Sequence, residues 1–338
     1  MKRFFTMLLT MLLAALLFGC SPKAEEATSQ IFAMDTVMDF YAVGEGAEET
    51  LAESSREINR LESILSRTRS GSDVYTLNQQ GEADVSPETA KLLALALQYA
   101  AETDGAFDVT IEPLVSAWGI HTETPRVLTE DEVAALLPLV GREHIRMDGS
   151  AVSLDEGCAI DLGGIAKGYA SDVVADIYRE TGMKGGWASL GGNVYAHGTK
   201  PDGSFWNVAI RDPHDAAGTA AMVQLSNEFA VTSGGYQRYF TAEDGTVYQH
   251  ILDPDTGVPA MSDLLSVTIV GESGTMADAY STALYVMGEE EAVSFWRSRS
   301  MTFDMVLIIA DGRIVYTPGL DGRIITEEGG PYEATLLS

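Results

Sequence analysis

Asp161-Leu162-Gly163-Gly164-Ile165-Ala166-Lys167-Gly168 is the segment of this chain that says most about its fold and its chemistry. It follows an apolar run over residues 151–160 and leads into a helical pattern over residues 169–179. Adjacent glycines let a backbone approach a ligand without a clash at Cβ, and a helix N-terminus offers unpaired N–H groups to an anion. Asp161 and Lys167 add an acceptor and a mobile cation. The segment predicts a turn between a strand and a helix that either binds phosphate or is purely structural.

The patterns around this segment predict helices and strands without strict alternation. Helical spacing or capping signals occur over residues 48–66, 86–102, 276–287 and 289–299, and from Thr129 onward. Strand patterns occur over residues 31–43, 187–196, 205–210, 222–225, 230–232, 236–240, 265–270 and 305–310, with a hairpin over 152–160. This order favours an α+β fold with antiparallel-rich sheets, as one compact domain over residues 31–338.

The N-terminus has the features of an export signal over residues 1–19. Lys2 and Arg3 precede an apolar run over residues 7–18, which is too short to span a membrane comfortably. The run ends in Leu17-Phe18-Gly19-Cys20, which resembles the lipobox of bacterial lipoproteins and predicts lipid on Cys20. Ordinary cleavage with an incidental Cys20 is the alternative. Residues 20–30 are predicted to be a polar tether, so we expect an extracytoplasmic protein that is anchored to a membrane.

The composition excludes several kinds of partner. With 50 acidic and 21 basic residues and a formal net charge of -29, the surface repels nucleic acid and anionic lipid headgroups. An anionic ligand therefore needs a local device, such as a metal ion, a helix N-terminus or Lys167. Cys20 and Cys158 are the only cysteines, so a lipidated Cys20 leaves no intramolecular disulfide. Cys158 is predicted to be a small buried apolar residue in a strand.

A carboxylate and a hydroxyl are spaced one helical turn apart in Met276-Ala277-Asp278-Ala279-Tyr280-Ser281-Thr282-Ala283. On a helix, Asp278 and Thr282 share one face, and two hard oxygen ligands suit Mg²⁺. Because the segment is otherwise apolar, the carboxylate is expected to be buried and to need a partner. The segment predicts either a pair of metal ligands or a structural cap on a neighbouring loop.

Two further segments carry groups that suit a flat, phosphorylated ligand. In His250-Ile251-Leu252-Asp253-Pro254-Asp255, the histidine is either a proton shuttle beside a phosphate or a polar strand end, and the aspartates are assigned to the turn. In Asp104-Gly105-Ala106-Phe107-Asp108, the last two residues can stack on and hydrogen-bond a heterocycle after a glycine helix end. Ser233 lacks a neighbouring His and Asp signature, so a serine hydrolase is not expected.

Taken together, and in this order along the chain, these segments resemble the ApbE family of flavin transferases. The resemblance covers residues 31–310 and also includes Met34-Asp35-Thr36 and Ser189-Leu190-Gly191-Gly192. It implies an enzyme that cleaves FAD with the help of Mg²⁺, transfers FMN to a Ser or Thr hydroxyl of a target flavoprotein, and releases AMP.

The resemblance also implies roles for individual residues. Asp278 and Thr282 would bind Mg²⁺ together with the backbone carbonyl of Gly164, and His250 would be a general base near the flavin phosphate. The amides of the glycine turn and Lys167 would hold the other phosphate oxygens. Residues that would line the FAD site are Met34, Thr68, Ala106, Phe107, Asp108, Asp161, Lys167 and His250.

The chain departs from the family pattern at one position, and two alternatives stay open. Family members often place a flavin-stacking Tyr after the first helix, where this chain has Arg67 and Thr68. With water as the acceptor, the same site would make an Mg²⁺-dependent FAD pyrophosphatase that yields FMN and AMP. The alternative outside enzymes is a flavin-binding lipoprotein without turnover. The Asp278–Thr282 pair argues against it, because binding alone needs no metal at the pyrophosphate.

Overall fold

The computed structural model describes residues 25–120, 122–299, 302–327 and 329–337. The helices are α1 (Ala47–Leu65), α2 (Asp73–Gln80), α3 (Pro87–Glu102), α4 (Glu112–Trp118), α5 (Glu130–Leu136), α6 (Ala166–Glu180) and α7 (Gly274–Ser298). The strands are β1 (Glu26–Ala33), β2 (Thr36–Val43), β3 (Glu82–Asp84), β4 (Ile145–Asp148), β5 (Ala151–Leu154), β6 (Gly185–Leu190), β7 (Asn193–Gly198), β8 (Trp206–Arg211), β9 (Thr219–Leu225), β10 (Glu228–Gly234), β11 (Tyr239–Thr241), β12 (Val247–Gln249), β13 (Leu264–Gly271), β14 (Asp304–Ile309), β15 (Arg313–Tyr316), β16 (Ile324–Ile325) and β17 (Glu333–Leu336).

A nine-stranded sheet forms the centre of the fold, in the order β1-β2-β6-β7-β10-β13-β14-β15-β17. Its neighbouring strands are antiparallel except β15 and β17, which run parallel. Smaller sheets have the orders β16-β9-β8 and β3-β5-β4, and β11 pairs with β12. The predicted α+β fold with antiparallel-rich sheets in one compact domain is confirmed.

The two faces of the large sheet are covered differently. One face packs against α1, α6 and α7 in a core that includes Phe40, Phe229 and Ile269. The opposite face packs against the sheet β16-β9-β8 through a smaller apolar cluster that includes Val223 and Ile308. Side chains of β2, β6, β10 and β13 on this second face line the cavity that is described below.

Helices α6 and α7 approach closely at their N-terminal turns. A Cβ on Gly168 would lie 2.7 Å from the Cβ of Asp278 and would overlap the carbonyl oxygen of Gly274, so only glycine fits there. Asp172 on α6 caps α7 by accepting hydrogen bonds from the amides of Gly274 at 2.6 Å and Thr275 at 2.9 Å. Burial raises the pKa of the Asp172 carboxyl, and these hydrogen bonds oppose the shift. The contacts fix the position of Asp278 relative to the segment 161–168.

The predicted helices are largely confirmed. The patterns over 48–66 and 86–102 correspond to α1 and α3, and Ser86 caps α3. The capping box that starts at Thr129 is present at α5. The predictions over 276–287 and 289–299 form α7, which is interrupted at Gly288 with a φ of 79°. The helix after the glycine-rich segment begins at Ala166 rather than at residue 169.

Two long strands predicted from the sequence are hairpins in the structure. The prediction over 31–43 combines the end of β1 with β2, because the chain turns at Met34 and Asp35. Residues 26–30, predicted to belong to the tether, are the first part of β1. The prediction over 187–196 combines parts of β6 and β7, which turn at Gly191 and Gly192.

The predicted hairpin over 152–160 is wrong. Its first residues belong to β5, which pairs with β3 and β4, and β5 ends at Leu154. The hairpin turn lies at residues 149–150, before β5, because Asp148 pairs with Ala151. Cys158 is buried as predicted, but it lies in the following loop and is a free thiol.

The predicted signal over residues 1–19 and the lipid site at Cys20 lie outside the described residues. In the part of the chain that the structure describes, we find no helix with both the length and the apolar character needed to cross a membrane.

Candidate active site

A cavity of about 800 Å³ lies where the β1–β2 turn, the segment 161–168, the first turns of α7 and the strand β8 meet. This volume is in the upper part of the range for small-molecule sites. Every residue predicted to bind the ligand or the metal lines this cavity: Met34, Thr68, Ala106, Phe107, Asp108, Asp161, Gly164, Lys167, His250, Asp278 and Thr282. The structure thus brings the predicted residues together, while their roles in binding and catalysis stay predictions.

The glycine-rich segment is the end of a loop and the first turn of α6, and it does not directly follow a strand as predicted. Asp161 Oδ1 accepts a hydrogen bond from the Gly163 amide at 2.8 Å, which closes a turn typical of aspartate. Lys167 Nζ donates to the Gly163 carbonyl oxygen at 3.0 Å. The ammonium group is therefore held against this turn, at the wall of the cavity.

The backbone amides of this segment are mostly used by the protein itself. The amides of residues 165–166 donate to the carbonyl oxygen of Leu162, and the Gly168 amide donates to the carboxylate of Asp278. Among the described residues, no protein acceptor is found for the amides of Leu162, Gly164 and Lys167. The predicted role of the turn amides in holding phosphate stays a prediction, and it is limited to these amides because the others already have protein acceptors.

Asp278 supplies a buried carboxylate to the cavity, with 4 % of its surface exposed. Its Oδ2 accepts the Gly168 amide at 2.8 Å, whereas no described residue donates a hydrogen bond to Oδ1. Oδ2 thus has the structural capping role that was one of the two alternatives from the sequence, and Oδ1 is available to a cation. Because burial of an uncompensated carboxylate is costly, the arrangement favours a bound cation.

Thr282 and Gly164 lie next to each other in the cavity wall. Thr282 Oγ1 is 3.3 Å from the carbonyl oxygen of Asp278 and 3.3 Å from Ser233 Oγ. A Cβ on Gly164 would be 3.8 Å from Thr282 Oγ1. A carboxylate, a hydroxyl and a backbone carbonyl are the hard oxygen ligands that Mg²⁺ prefers. The residues present therefore fit the ion that the family resemblance implies.

This donor set has a single carboxylate. Across the described ranges, no group of three or more His, Cys, Asp or Glu side chains could hold a metal ion. An ion bound here would rely on mixed oxygen ligands, with water and substrate phosphate completing its coordination, as is common for Mg²⁺.

Phe107 and Asp108 are both buried, with 4 % and 7 % of their surfaces exposed. Asp108 Oδ1 accepts hydrogen bonds from the amide of Thr110 at 2.8 Å and from its hydroxyl at 2.6 Å. Burial raises the pKa of the Asp108 carboxyl, and the bonds to Thr110 oppose the shift. Phe107 Cε2 is 3.3 Å from the position of a Cβ on Gly164. Phe107 therefore packs behind Gly164, which limits the ring area that can stack on a heterocycle.

Arg67, rather than Thr68, makes the strong contacts after α1. Its Nε is 3.1 Å from Asp161 Oδ2, and its Nη1 is 3.3 Å from Glu112 Oε1. Thr68 is exposed at the rim of the cavity. The guanidinium neutralises two carboxylates and fixes Asp161, so Asp161 contributes first to the shape of the cavity.

His250 lies close to the β1–β2 turn. Its Nδ1 is 3.2 Å from the carbonyl oxygen of Arg238, whose Nη2 donates to the carbonyl oxygen of Asp35 at 2.9 Å. Met34 and Asp35 have positive φ values of 48° and 58°, which residues other than glycine rarely adopt. The Met34 amide donates to Glu62 Oε1 at 2.9 Å, which helps to hold this turn. Backbone strain of this kind is concentrated at functional sites.

Several polar residues of the cavity were not predicted as part of the site. Ser233 Oγ is 2.9 Å from Ser281 Oγ as well as close to Thr282. Asn193 is 1 % exposed, and within the described part of the chain its side-chain nitrogen makes no hydrogen bond. In the sequence, the signal for Asn193 and Ser233 was the glycine pair next to each of them. Glycine pairs let strand ends pack closely, which brings these two polar residues to the same cavity. Asp253 has the predicted turn role, since it accepts the amide of Asp255 at 2.9 Å.

Comparisons with known proteins agree with this geometry. The model of the ApbE family matches residues 34–307. A protein of Vibrio cholerae named FAD:protein FMN transferase is 32% identical over 308 residues, which cover 88% of this chain and 92% of that protein. The crystal structure of the ApbE protein from Thermotoga maritima superposes with a TM-score of 0.83 at 30% identity, covering 90% of this chain and 100% of that one. The apo form of the Pseudomonas stutzeri flavinyl transferase ApbE gives a TM-score of 0.76 at 30% identity, covering 86% and 93%.

Proposed function

The chain belongs to the ApbE family, and on that basis we propose that it is an Mg²⁺-dependent FAD:protein FMN transferase. The hydroxyl oxygen of a Ser or Thr in an acceptor flavoprotein attacks the phosphorus atom of the FMN half of FAD. A P–O bond forms to the acceptor, the P–O bond to the AMP half breaks, and the hydroxyl proton passes to a base. The observation that carries the proposal is the convergence of Asp278, Thr282, Gly164 and Lys167 on one cavity.

The pyrophosphate of FAD needs local neutralisation in this protein. The formal net charge of -29 opposes the approach of an anion, so attraction has to come from groups inside the cavity. Lys167 Nζ and the amides of Gly164 and Lys167 supply donors there. Asp278, Thr282 and the Gly164 carbonyl would hold Mg²⁺, which when bound supplies positive charge to the phosphate oxygens.

His250 is the residue we propose as general base for the acceptor hydroxyl. A carbonyl oxygen can only accept, so the contact of Nδ1 with the Arg238 carbonyl places the proton on Nδ1. In this tautomer, Nε2 is the basic nitrogen. An imidazole is suited to take up a proton near neutral pH and release it again.

The test is an incubation of the protein with FAD, Mg²⁺ and a purified flavoprotein domain that carries a Ser or Thr flavinylation site. We expect a fluorescent FMN band on a denaturing gel and one AMP per FMN transferred. An acceptor with that hydroxyl residue replaced by alanine is the control. Free FMN and AMP without a band would support the FAD pyrophosphatase instead, and FAD binding without AMP at any Mg²⁺ concentration would support a binding protein without turnover.

We further propose that the protein is exported and carries lipid on Cys20. The basic and apolar residues at the N-terminus and the Leu17-Phe18-Gly19-Cys20 sequence support this proposal. A negatively charged protein gains little from anionic headgroups, so a lipid would supply its attachment to the membrane.

A further inference from the structure

Strand β8 has an edge that faces the cavity. It is the outer strand of the sheet β16-β9-β8, and in the described part of the chain its other edge has no neighbouring strand. The consecutive residues 208–211 all line the cavity. Successive side chains of a strand point to opposite faces, so four consecutive residues can line one cavity only if the edge of the strand faces it.

The hydrogen bonds of β9 show which groups of β8 point to this edge. Asn207 lies opposite Gln224, and the Gln224 amide donates away from β8, to the carbonyl oxygen of Arg323 at 2.9 Å. In an antiparallel pair, residues alternate between bonded and non-bonded partners. The N–H and C=O groups of Asn207, Ala209 and Arg211 therefore point away from β9. The Asp212 amide donates back to the Gly218 carbonyl at 3.1 Å, which agrees with this alternation.

The floor of the cavity beside β8 is polar. Ser189 and Thr232 line it from neighbouring parts of the large sheet, and Thr232 Oγ1 is 2.8 Å from Thr268 Oγ1. On the helix-covered face of the sheet, Asn193 also lines the cavity, with a side-chain nitrogen that is buried and has no hydrogen-bond partner among the described residues. A buried donor without an acceptor is costly unless a ligand supplies one. The cavity extends around the strand ends to Ser233, which lies on the helix-covered face of the sheet and contacts Thr282.

Arg211 places a positive charge at the end of this edge. Within the described residues, its guanidinium makes no salt bridge or hydrogen bond. Burial raises the pKa of the nearby Tyr236, and the charge of Arg211 opposes this shift. The charge complements an acidic side chain on whatever binds along β8.

We propose that the acceptor flavoprotein docks by adding an extended segment to the free edge of β8. This inference rests on the proposed function. The backbone of the segment would bond to the N–H and C=O groups of Ala209 and Arg211, as in other complexes formed by strand addition. An acidic side chain of the segment would pair with Arg211, and the segment would present its Ser or Thr hydroxyl to the part of the cavity around Ser233 and Thr282.

The test compares Ala209→Pro with Ala209→Val. Proline removes an N–H that points to the free edge and leaves the pairing of β8 with β9 intact, because edge strands tolerate proline. Valine keeps the N–H and adds only two methyl groups to an exposed side chain. The probe is a purified flavoprotein domain that carries a Ser or Thr flavinylation site. We expect FMN transfer by Ala209→Pro to be about ten-fold or more slower than by Ala209→Val.

FAD binding by the same variants separates docking from the chemistry of the cavity. We expect the Kd for FAD of Ala209→Pro to change less than about two-fold, since the lost N–H serves the acceptor. Equal transfer by both variants would overturn the inference, and so would a parallel loss of FAD affinity, which would assign the edge to the nucleotide. A wild-type protein that transfers no FMN to the probe would instead overturn the proposed function, and the inference with it.

A second measurement does not depend on how Ala209→Pro folds. With the wild-type protein and FAD, hydrogen exchange at the amides of Ala209 and Arg211 should slow on addition of the acceptor domain, whereas exchange at an exposed amide such as that of Asp244 should not. Arg211→Glu should raise the KM for the acceptor about ten-fold and leave the KM for FAD unchanged, with Arg211→Gln in between. Unchanged exchange at both edge amides would contradict docking at β8.

Discussion

Asp278 divides its two carboxylate oxygens between the protein and the cavity. The helical spacing of Asp278 and Thr282 could be predicted from the sequence, because it depends only on residues one turn apart. The bond from the Gly168 amide to Asp278 could not, because it joins residues 110 positions apart. For the same reason, the sequence indicated an anion-binding turn but did not show that most of its amides are already bonded. The chemistry of residues close in sequence was predictable, whereas the hydrogen bonds that they form with distant residues were not.

Lys167 is the cation that we expect to contribute most to FAD binding. Lys167→Gln removes its charge, and loss of a charge-assisted hydrogen bond costs about 1.5–3 kcal/mol, or roughly ten- to a hundred-fold. We expect the KM for FAD to rise by that factor. Lys184→Gln, at an exposed position outside the cavity, is the control that removes an equal charge. Steady-state kinetics with both variants makes the measurement, and equal KM values would show that Lys167 lies away from the phosphates.

His197 makes the stability of the fold depend on pH. It is 7 % exposed, its Nε2 is 2.9 Å from the Met183 carbonyl oxygen, and burial lowers the pKa of its imidazole below 6.5. Because the unfolded chain then binds a proton at a higher pH than the folded protein does, the free energy of unfolding falls as the pH falls below about 6.5.

This dependence can be measured by urea unfolding between pH 7.5 and 5.5. We expect the difference between wild type and His197→Asn to shrink as the pH falls, because the variant lacks the titrating group. His214→Asn, which removes an exposed histidine, should keep the wild-type slope. A constant difference between wild type and His197→Asn over this range would contradict the assignment.

At the scale of elements, helices with caps were predictable and tight hairpins were not. The capping box at Thr129 and Ser86 before Pro87 specify helix starts through residues that are adjacent in sequence. The β1–β2 turn uses Met34 and Asp35 at positive φ, and without a glycine this pair lacks the usual sequence signal for such a turn. The single strand predicted over 31–43 is therefore part of a hairpin, and the turn of this hairpin lines the cavity.

The close approach of α6 and α7 tests how the site is positioned. Gly168→Ala would bring a methyl group against the Gly274 carbonyl and the Asp278 side chain, so the helices would have to separate. We expect a loss of about 1–3 kcal/mol in the free energy of unfolding, together with weaker FMN transfer. Asp176→Ala, at an exposed position of the same helix, should change stability by less than about 0.5 kcal/mol. Wild-type stability and activity in Gly168→Ala would show that the helices can adjust.

At the scale of the whole molecule, the mixed order of helices and strands was sufficient to predict the α+β class. It did not predict the strand order, because antiparallel pairing between β10 and β13, or between β2 and β6, depends on packing over the whole sheet. The acidic composition has a functional consequence. A cavity that attracts pyrophosphate inside such a protein has to supply positive charge locally, and Lys167 lines it.

The proposed lipid anchor predicts where the whole protein is found. Cys20→Ala removes the thiol that would carry lipid, so the variant should move from the membrane fraction to the soluble fraction after cell disruption, with FMN transfer unchanged. Cys158→Ala, which removes the buried free thiol, should stay with the membranes. Fractionation followed by immunoblotting makes the comparison, and a membrane-bound Cys20→Ala would contradict lipidation at this residue.

The central claim is that Asp278 supplies a metal ligand to an FAD-cleaving site, and Asp278→Asn tests it most directly. Asparagine can still accept the Gly168 amide but carries no charge, so the fold should survive while Mg²⁺ is lost. Measured against Mg²⁺ concentration, FMN transfer should fall at least about 100-fold, and FAD binding should no longer tighten when Mg²⁺ is added. Asp255→Asn, in an exposed turn, should match the wild type. Transfer by Asp278→Asn at the wild-type rate, with the same dependence on Mg²⁺, would contradict the claim.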